Sequence, residues 1–229
     1  MASQAPQVWV VIAAYNEAGA IMRVVGDIKR AGYQTVVVVD DGSTDATGAL
    51  AGKAGGLVVR HPINLGQGAG LQTGIEFALS EGADVIVTFD ADGQHCASDI
   101  AVLIDALARR GADFALGSRS LGASKNQPLR RRLLLKVATC FTRLTTGLSV
   151  TDTHNGLRAM TRLGASSIKL CQNRMAHASE ILHQIAASRL NYVEVPVTIE
   201  YSAYSLAKGQ TLGDAFMILT DLFAGRLQR

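Results

Sequence analysis

The chain has 229 residues, 48% of them hydrophobic and 18% charged, with a formal net charge of +3. That length suffices for one α/β domain with a full core, and no stretch approaches the ~20 apolar residues that span a bilayer. So small a net charge gives no reason to expect a nucleic-acid partner.

In chain order, Val8–Ala14 reads as a first strand, which leaves no signal peptide to expect. Glu17–Ala31 follows as an amphipathic helix ended by Gly32. Thr35–Val39 is β-branched throughout, as in a buried parallel strand. After the acidic segment Asp40–Asp45 comes a helix to about Ala54, then a short strand, Leu57–Arg60. A glycine-rich turn at Gly66–Gly70 opens a helix over Ala69–Glu81, and Val85–Asp90 is the next buried strand. Ser98 is expected to cap a helix ending at Arg110, before a strand over Ala112–Gly117. This alternation predicts a mostly parallel sheet with helices on both faces.

The pattern then changes. From Phe114 through Thr151 there is no acidic residue, while Arg119, Lys125, Arg130, Arg131, Arg132, Lys136 and Arg143 are basic. Such a window suits anions, whether phosphates or a lipid surface. Within it Leu129–Leu148 is a basic helix; Asn155–Met160 is a strand, Ala176–Ser188 a helix, Tyr192–Ile199 a strand and Leu212–Leu227 an apolar helix. The division expected is a nucleotide-binding half, 1–118, and an acceptor half, 119–229, within a single domain. Cys96, Cys140 and Cys171 form no close pair, as in a reducing cytosol.

The most informative segment is Asp90-Ala91-Asp92-Gly93-Gln94-His95. Two carboxylates just past a buried strand stand where open α/β sheets bind ligands. Their mutual repulsion favours a cation, and hard oxygen ligands suit Mg²⁺ or Mn²⁺ shared with substrate phosphates. The same residues also fit a plain turn. Asp41 is a candidate acceptor for a nucleobase N–H, and Asp40 or Asp45 for a ribose hydroxyl; Ser43 or Thr44 equally suits a helix cap. Gly66 and Gly68 make a phosphate-loop candidate without a Walker lysine. Arg119 and the Arg130–Arg132 triplet suit phosphates. His61, His177 and His183 have no metal-like spacing and are read as structural.

Ala14-Tyr15-Asn16-Glu17, Asp40–Asp45, Asn64–Gly68, Asp90–His95, Gly117-Ser118-Arg119 and Asp152–Arg158 occur in this order. Together they resemble family 2 glycosyltransferases, most of all the polyprenyl-phosphate type. The resemblance implies a GT-A fold, a nucleotide-sugar donor, Mg²⁺ or Mn²⁺, and inversion at the anomeric carbon. It assigns Asp90, Asp92 and Gln94 to the metal, and Asp41 to the nucleobase. Ala14, Tyr15, Glu17, Gly66, Gly68 and Ala91 line the donor site. Arg119, Arg131 and Lys208 go to phosphates, while Asp152, Asn155 and Arg158 face the acceptor. Asp92, Asp152, Arg158 and Arg119 form the expected catalytic set. Departures are Gln67, where many relatives carry a basic residue, and Ser202, near the position of an arginine.

A lipid phosphate is already ionised and needs no general base. A sugar hydroxyl needs one, and Glu180 or Asp152 would be the candidates. A nucleotidyltransferase and a non-catalytic lipid-binding module are the alternatives from other classes. The expected location is cytoplasmic, peripheral at the inner membrane face, with the apolar C-terminal helix meeting membrane, a membrane protein or a second copy.

Overall fold

The computed structural model describes residues 5–125, 129–172 and 176–201, with the side chains of 125–134 and 176 excepted. The strands are β1 (Val8–Ala14), β2 (Val36–Asp40), β3 (Leu57–Arg60), β4 (Val85–Thr88), β5 (Phe114–Lys125), β6 (Arg158–Thr161) and β7 (Tyr192–Glu200). The helices are α1 (Ile21–Arg30), α2 (Thr47–Lys53), α3 (Gln67–Ser80), α4 (Asp99–Arg110), α5 (Leu129–Thr146), α6 (Arg162–Ser166) and α7 (Ala176–Ser188). The seven strands form one sheet in the order β3-β2-β1-β4-β6-β5-β7. Only β6 runs against its neighbours, pairing antiparallel with β4 and β5. The expected boundary at residue 118 falls inside β5, at Ser118 of its register with β7.

Side chains alternate across β1. Val10 and Ile12 enter a core with Ile21, Val24 and Ile28 of α1 and Ile100, Leu103 and Leu107 of α4. Trp9 and Val11 enter the opposite core with Leu71 and Ile75 of α3 and Ile181, Leu182 and Ile185 of α7. The period-2 pattern thus feeds two apolar layers, which is why the central strands read as continuous hydrophobic runs. Helix α3 lies close to β1 because it carries glycine at the contact: a Cβ at Gly74 would fall 2.3 Å from Val11 Cγ1.

Strand order also places the crevice. From β1 the chain winds outward to β2 and β3, then returns to lay β4 on the other side of β1. The ends of β1 and β4 therefore flank the switch point where such sheets bind ligands.

Several local expectations need correction. The first helix starts at Ile21 and not at Glu17, because Asn16 is left-handed (φ 53°) and Glu17–Ala20 forms a turn. Ser98 sits at the start of α4 but its hydroxyl makes no capping bond. Neither Ser43 nor Thr44 caps α2; Asp45 Oδ1 accepts from the Thr47 N–H at 2.9 Å. Strand β6 starts at Arg158, since Asn155 Oδ1 turns back to accept from Leu157 N at 3.0 Å. Strand β5 runs on to Lys125 through a register shift after Ser118, and α6, capped by Thr161, was not anticipated. The expected helix Leu212–Leu227 lies outside the described residues.

Candidate active site

The carboxylate pair stands beyond the end of β4, in the crevice. Asp90 is half-buried; its Oδ2 lies 2.9 Å from His95 Nε2, and Gln67 Nε2 donates to its Oδ1 at 3.4 Å. Burial alone would raise the Asp90 pKa, but His95, with its hydrogen bond and charge, and the charges of His177 and Arg158 bring the net shift down. Asp92 goes the other way. Burial raises its pKa, and the neighbouring charge of Asp90 adds to that.

Two crowded carboxylates of opposite tendency, one of them destabilised in its charged form, are a donor set for a hard divalent cation. Gly156 makes room for the Asp90 carboxylate: a Cβ there would lie 2.2 Å from Asp90 Oδ1. The residues fit Mg²⁺ or Mn²⁺. Among the described residues no group of three His, Cys, Asp or Glu forms a closed metal site, so substrate oxygens and water would complete the coordination. Gln94 stands differently from expectation. Its side-chain amide donates to Asp92 Oδ2 at 2.6 Å and its N–H to Oδ1 at 3.1 Å, so it steadies Asp92.

The donor side gathers at the ends of β1 and β2. Ala14 and Ala91 are buried, while Tyr15 is exposed. Glu17 takes its N–H to Thr47 Oγ1 at 2.7 Å, and its charge reaches Asp92. Asp41 is turned inward. Its carboxylate accepts from Leu65 N at 2.9 Å and Gly66 N at 2.8 Å, and lies 2.7 Å from His61 Nδ1. Asp41 itself thus places an anion at the start of α3, on the N–H groups of Leu65 and Gly66. Gly68 is a packing residue, since a Cβ there would meet the Gln172 carbonyl at 2.2 Å. Asp40 accepts from Ser43 N, and Asp45 from Ala18 N and Thr47 N, so both candidates for a ribose hydroxyl already serve the chain.

The acceptor side is built on an ion pair. Arg119 Nε donates to Asp152 Oδ2 at 2.6 Å, Nη1 to Tyr201 Oη at 2.9 Å and Nη2 to the His154 carbonyl at 3.0 Å. Burial works against this charge, but Asp152 and Tyr201 raise the Arg119 pKa overall. Arg119, expected at a phosphate, thus pins Asp152 and the His154 carbonyl to Tyr201, just past β7. Arg158 is also buried, and burial lowers its pKa to about 10 against the pull of Asp90 and Asp152. Its guanidinium makes one hydrogen bond among the described residues, a 3.4 Å contact to the Thr153 carbonyl. Asn155 is buried beside Asp152. Glu180, a candidate base, accepts from Cys171 N at 3.1 Å and Gln172 N at 2.9 Å. The Arg130–Arg132 side chains, Arg131 among them, and Lys208 lie outside the described residues.

Three residues have contacts that the sequence reading did not assign them. His177, on α7, is buried and its charge acts on Asp90 and on His154. His154 has its Nε2 buried without a hydrogen-bond partner among the described residues. Gly156 had no local signal: its role depends on a carboxylate from another strand.

Comparison with known proteins places the chain in a family. Residues 9–165 match the sequence pattern of Glycosyl transferase family 2. The chain belongs to that family. This family 2 glycosyltransferase is 36% identical, over 96% of its length and 93% of the relative's, to an uncharacterized protein of Methanocaldococcus jannaschii. It is 32% identical, over 94% of both chains, to a UDP-N-acetylglucosamine–dolichyl-phosphate N-acetylglucosaminyltransferase of Methanococcus voltae. It is likewise 32% identical to a polyprenol monophosphomannose synthase of Mycolicibacterium smegmatis, over 96% of its own length and 88% of the relative's. Among solved structures, glucosyl-3-phosphoglycerate synthase from Mycobacterium tuberculosis, in complex with Mn²⁺, UDP-glucose and phosphoglyceric acid, superposes with a TM-score of 0.74 at 19% identity. That likeness covers 96% of this chain and 79% of the other and identifies the fold as GT-A. Family membership makes the protein a glycosyltransferase and sets aside both the nucleotidyltransferase and the non-catalytic module.

Proposed function

We propose that this glycosyltransferase moves a sugar from a nucleotide-sugar donor onto a lipid phosphate of the polyprenyl type. The observation that carries the proposal is the commitment of both candidate bases. Asp152 is tied to Arg119, and Glu180 to two backbone N–H groups of the 171–172 segment. An acceptor hydroxyl would need one of them free; a phosphate arrives already ionised. The printed activities of the M. voltae and M. smegmatis relatives support the same acceptor class.

Asp90 and Asp92 would hold the divalent cation, which when bound supplies positive charge to the departing nucleoside diphosphate. His95 and Gln67 fix Asp90, and Gln94 fixes Asp92, so the carboxylates are preorganised before substrate enters. Tyr15, Glu17 and Ala91 border the donor at the crevice, and Asp41 acts on it through the 65–66 backbone. Arg158, with donors to spare, faces the phosphates; Arg131 and Lys208 are proposed to join it. An acceptor phosphate oxygen bonds to the anomeric carbon as the bond from that carbon to the diphosphate oxygen breaks, with inversion. Residues up to about 118 handle the donor and later ones the acceptor.

Among the described residues no helix is long and apolar enough to cross a membrane. Helix α5 exposes Lys136, Arg143, Val137 and Leu144. That surface supports peripheral contact with anionic lipid, at the cytoplasmic face where nucleotide sugars are held. Incubation of labelled nucleotide sugars with polyprenyl phosphate and Mn²⁺ tests the proposal. Label passing into the lipid phase, with release of nucleoside diphosphate, is expected. Transfer to sugar hydroxyls with none to lipid phosphate would overturn it.

A further inference from the structure

We infer that Gly156 is a positioning residue for Asp90: it is glycine because the Asp90 carboxylate occupies the space a side chain would need. The inference rests on the assignment of Asp90 to the cation.

A Cβ built on Gly156 would lie 2.2 Å from Asp90 Oδ1, 2.3 Å from Oδ2 and 2.4 Å from Cγ. These are less than contact distances to all three atoms of the carboxylate, which are the three nearest heavy atoms outside the neighbouring residues. Conformation does not explain the glycine, since Gly156 is not among the residues with positive φ. Space does.

Nor can the backbone at 156 drift away. Thr88 Oγ1 donates to the Gly156 carbonyl at 2.7 Å, and Thr88 pairs with Arg158 in the β4–β6 register. Strand β4, which leads into Asp90, thus also holds the residue that backs its carboxylate. With His95 Nε2 on Oδ2 and Gln67 Nε2 toward Oδ1, the Asp90 side chain is confined on three sides. Any side chain at 156 would turn the carboxylate out of that frame. Asp92, by contrast, is steadied only by its neighbour Gln94 among the bonds described.

The test uses the full chain stripped of metal. Free Mn²⁺ is followed by electron paramagnetic resonance in wild type, Gly156→Ala and Gly117→Ala. Gly117 is the control for crowding alone, because a Cβ there would meet the Leu157 carbonyl at 2.7 Å and not Asp90. Gly156→Ala is expected to weaken Mn²⁺ binding roughly tenfold or more, as loss of a supporting contact to a metal ligand does, and Gly117→Ala to leave it unchanged. Equal affinity in wild type and Gly156→Ala would overturn the inference.

Thermal midpoints without metal give a second, metal-independent reading. Gly156→Ala should lower the midpoint in the wild-type background and lower it much less beside Asp90→Ala, where the obstructing carboxylate is gone. An equal drop in both backgrounds would overturn the inference. Should Gly156→Ala alone be insoluble, a soluble Asp90→Ala/Gly156→Ala double variant supports it and an insoluble one overturns it. Absence of Mn²⁺ binding by wild type itself would defeat the cation assignment, and the thermal cycle would still decide the role of Gly156.

Discussion

Arg119 and Asp152 form a buried ion pair, with Nε 2.6 Å from Oδ2 and both side chains at least nine-tenths shielded from water. Breaking such a pair strands a charge in the interior. Arg119→Ala is therefore expected to cost about 3 kcal/mol of stability, and Arg119→Lys to recover little, since a lysine cannot reach Asp152, Tyr201 and the His154 carbonyl together. Urea denaturation measures it. Unchanged stability with weaker acceptor binding would return Arg119 to the phosphate.

Asp92→Asn should separate stability from function. Burial and Asp90 disfavour the charged Asp92, so the metal-free variant should unfold a few degrees higher than wild type. Turnover should fall by ~100-fold or more, because half the charge offered to the cation is gone. Melting in chelator and an assay with Mn²⁺ check the two halves.

Asp41→Ala is expected to cost about 2–3 kcal/mol, because it leaves the Leu65 and Gly66 N–H groups and His61 without their acceptor. Nucleoside diphosphate affinity, measured by calorimetry, should weaken as a consequence of the loosened loop. Weaker binding with unchanged stability would favour a direct contact between Asp41 and the base.

His154 predicts a specific acid sensitivity. Burial, then the charges of Arg119, Arg158 and His177, outweigh Asp152 and hold its pKa down to about 4, from an ordinary 6.5. The unfolded chain takes up this proton first, so the stability it confers is complete above pH 6.5 and lost as pH falls toward 4. His154→Gln should flatten that part of the profile. Unfolding free energies at pH 7.5, 6 and 5 should show wild type losing more than the variant; parallel profiles would refute the assignment.

The strands and the carboxylate turn were legible because they rest on local patterns. Thr35–Val39, β-branched throughout, reads as a buried strand and is β2 within one residue, and the apolar run before Asp90 reads as the strand that becomes β4. The partners of these residues were not legible. Asp41 reads as a ligand contact until the 65–66 backbone is seen to fold onto it. Arg119 reads as a free cation in an acid-free window, yet its carboxylate lies just past the window's end. His177 looked inert because its spacing matched no motif, and only the packing of α7 against α3 brings it near Asp90. Local periodicity encodes the elements; the duties of charged residues depend on contacts across dozens of positions.

The antiparallel insertion of β6 between β4 and β5 bears on how the protein is made. Thr88 and the Gly156 carbonyl that it bonds are 68 positions apart. A ribosome adding residues from the N-terminus therefore presents Asp90 long before Gly156, which backs it, exists. Pairings of such sequence separation form slowly, because chain entropy must be lost before they are rewarded. Nascent chains that have closed β1, β2 and β4 but lack the 156–161 segment carry Asp90 without its backing. The frame that confines the Asp90 carboxylate thus arrives only with completion of the sheet.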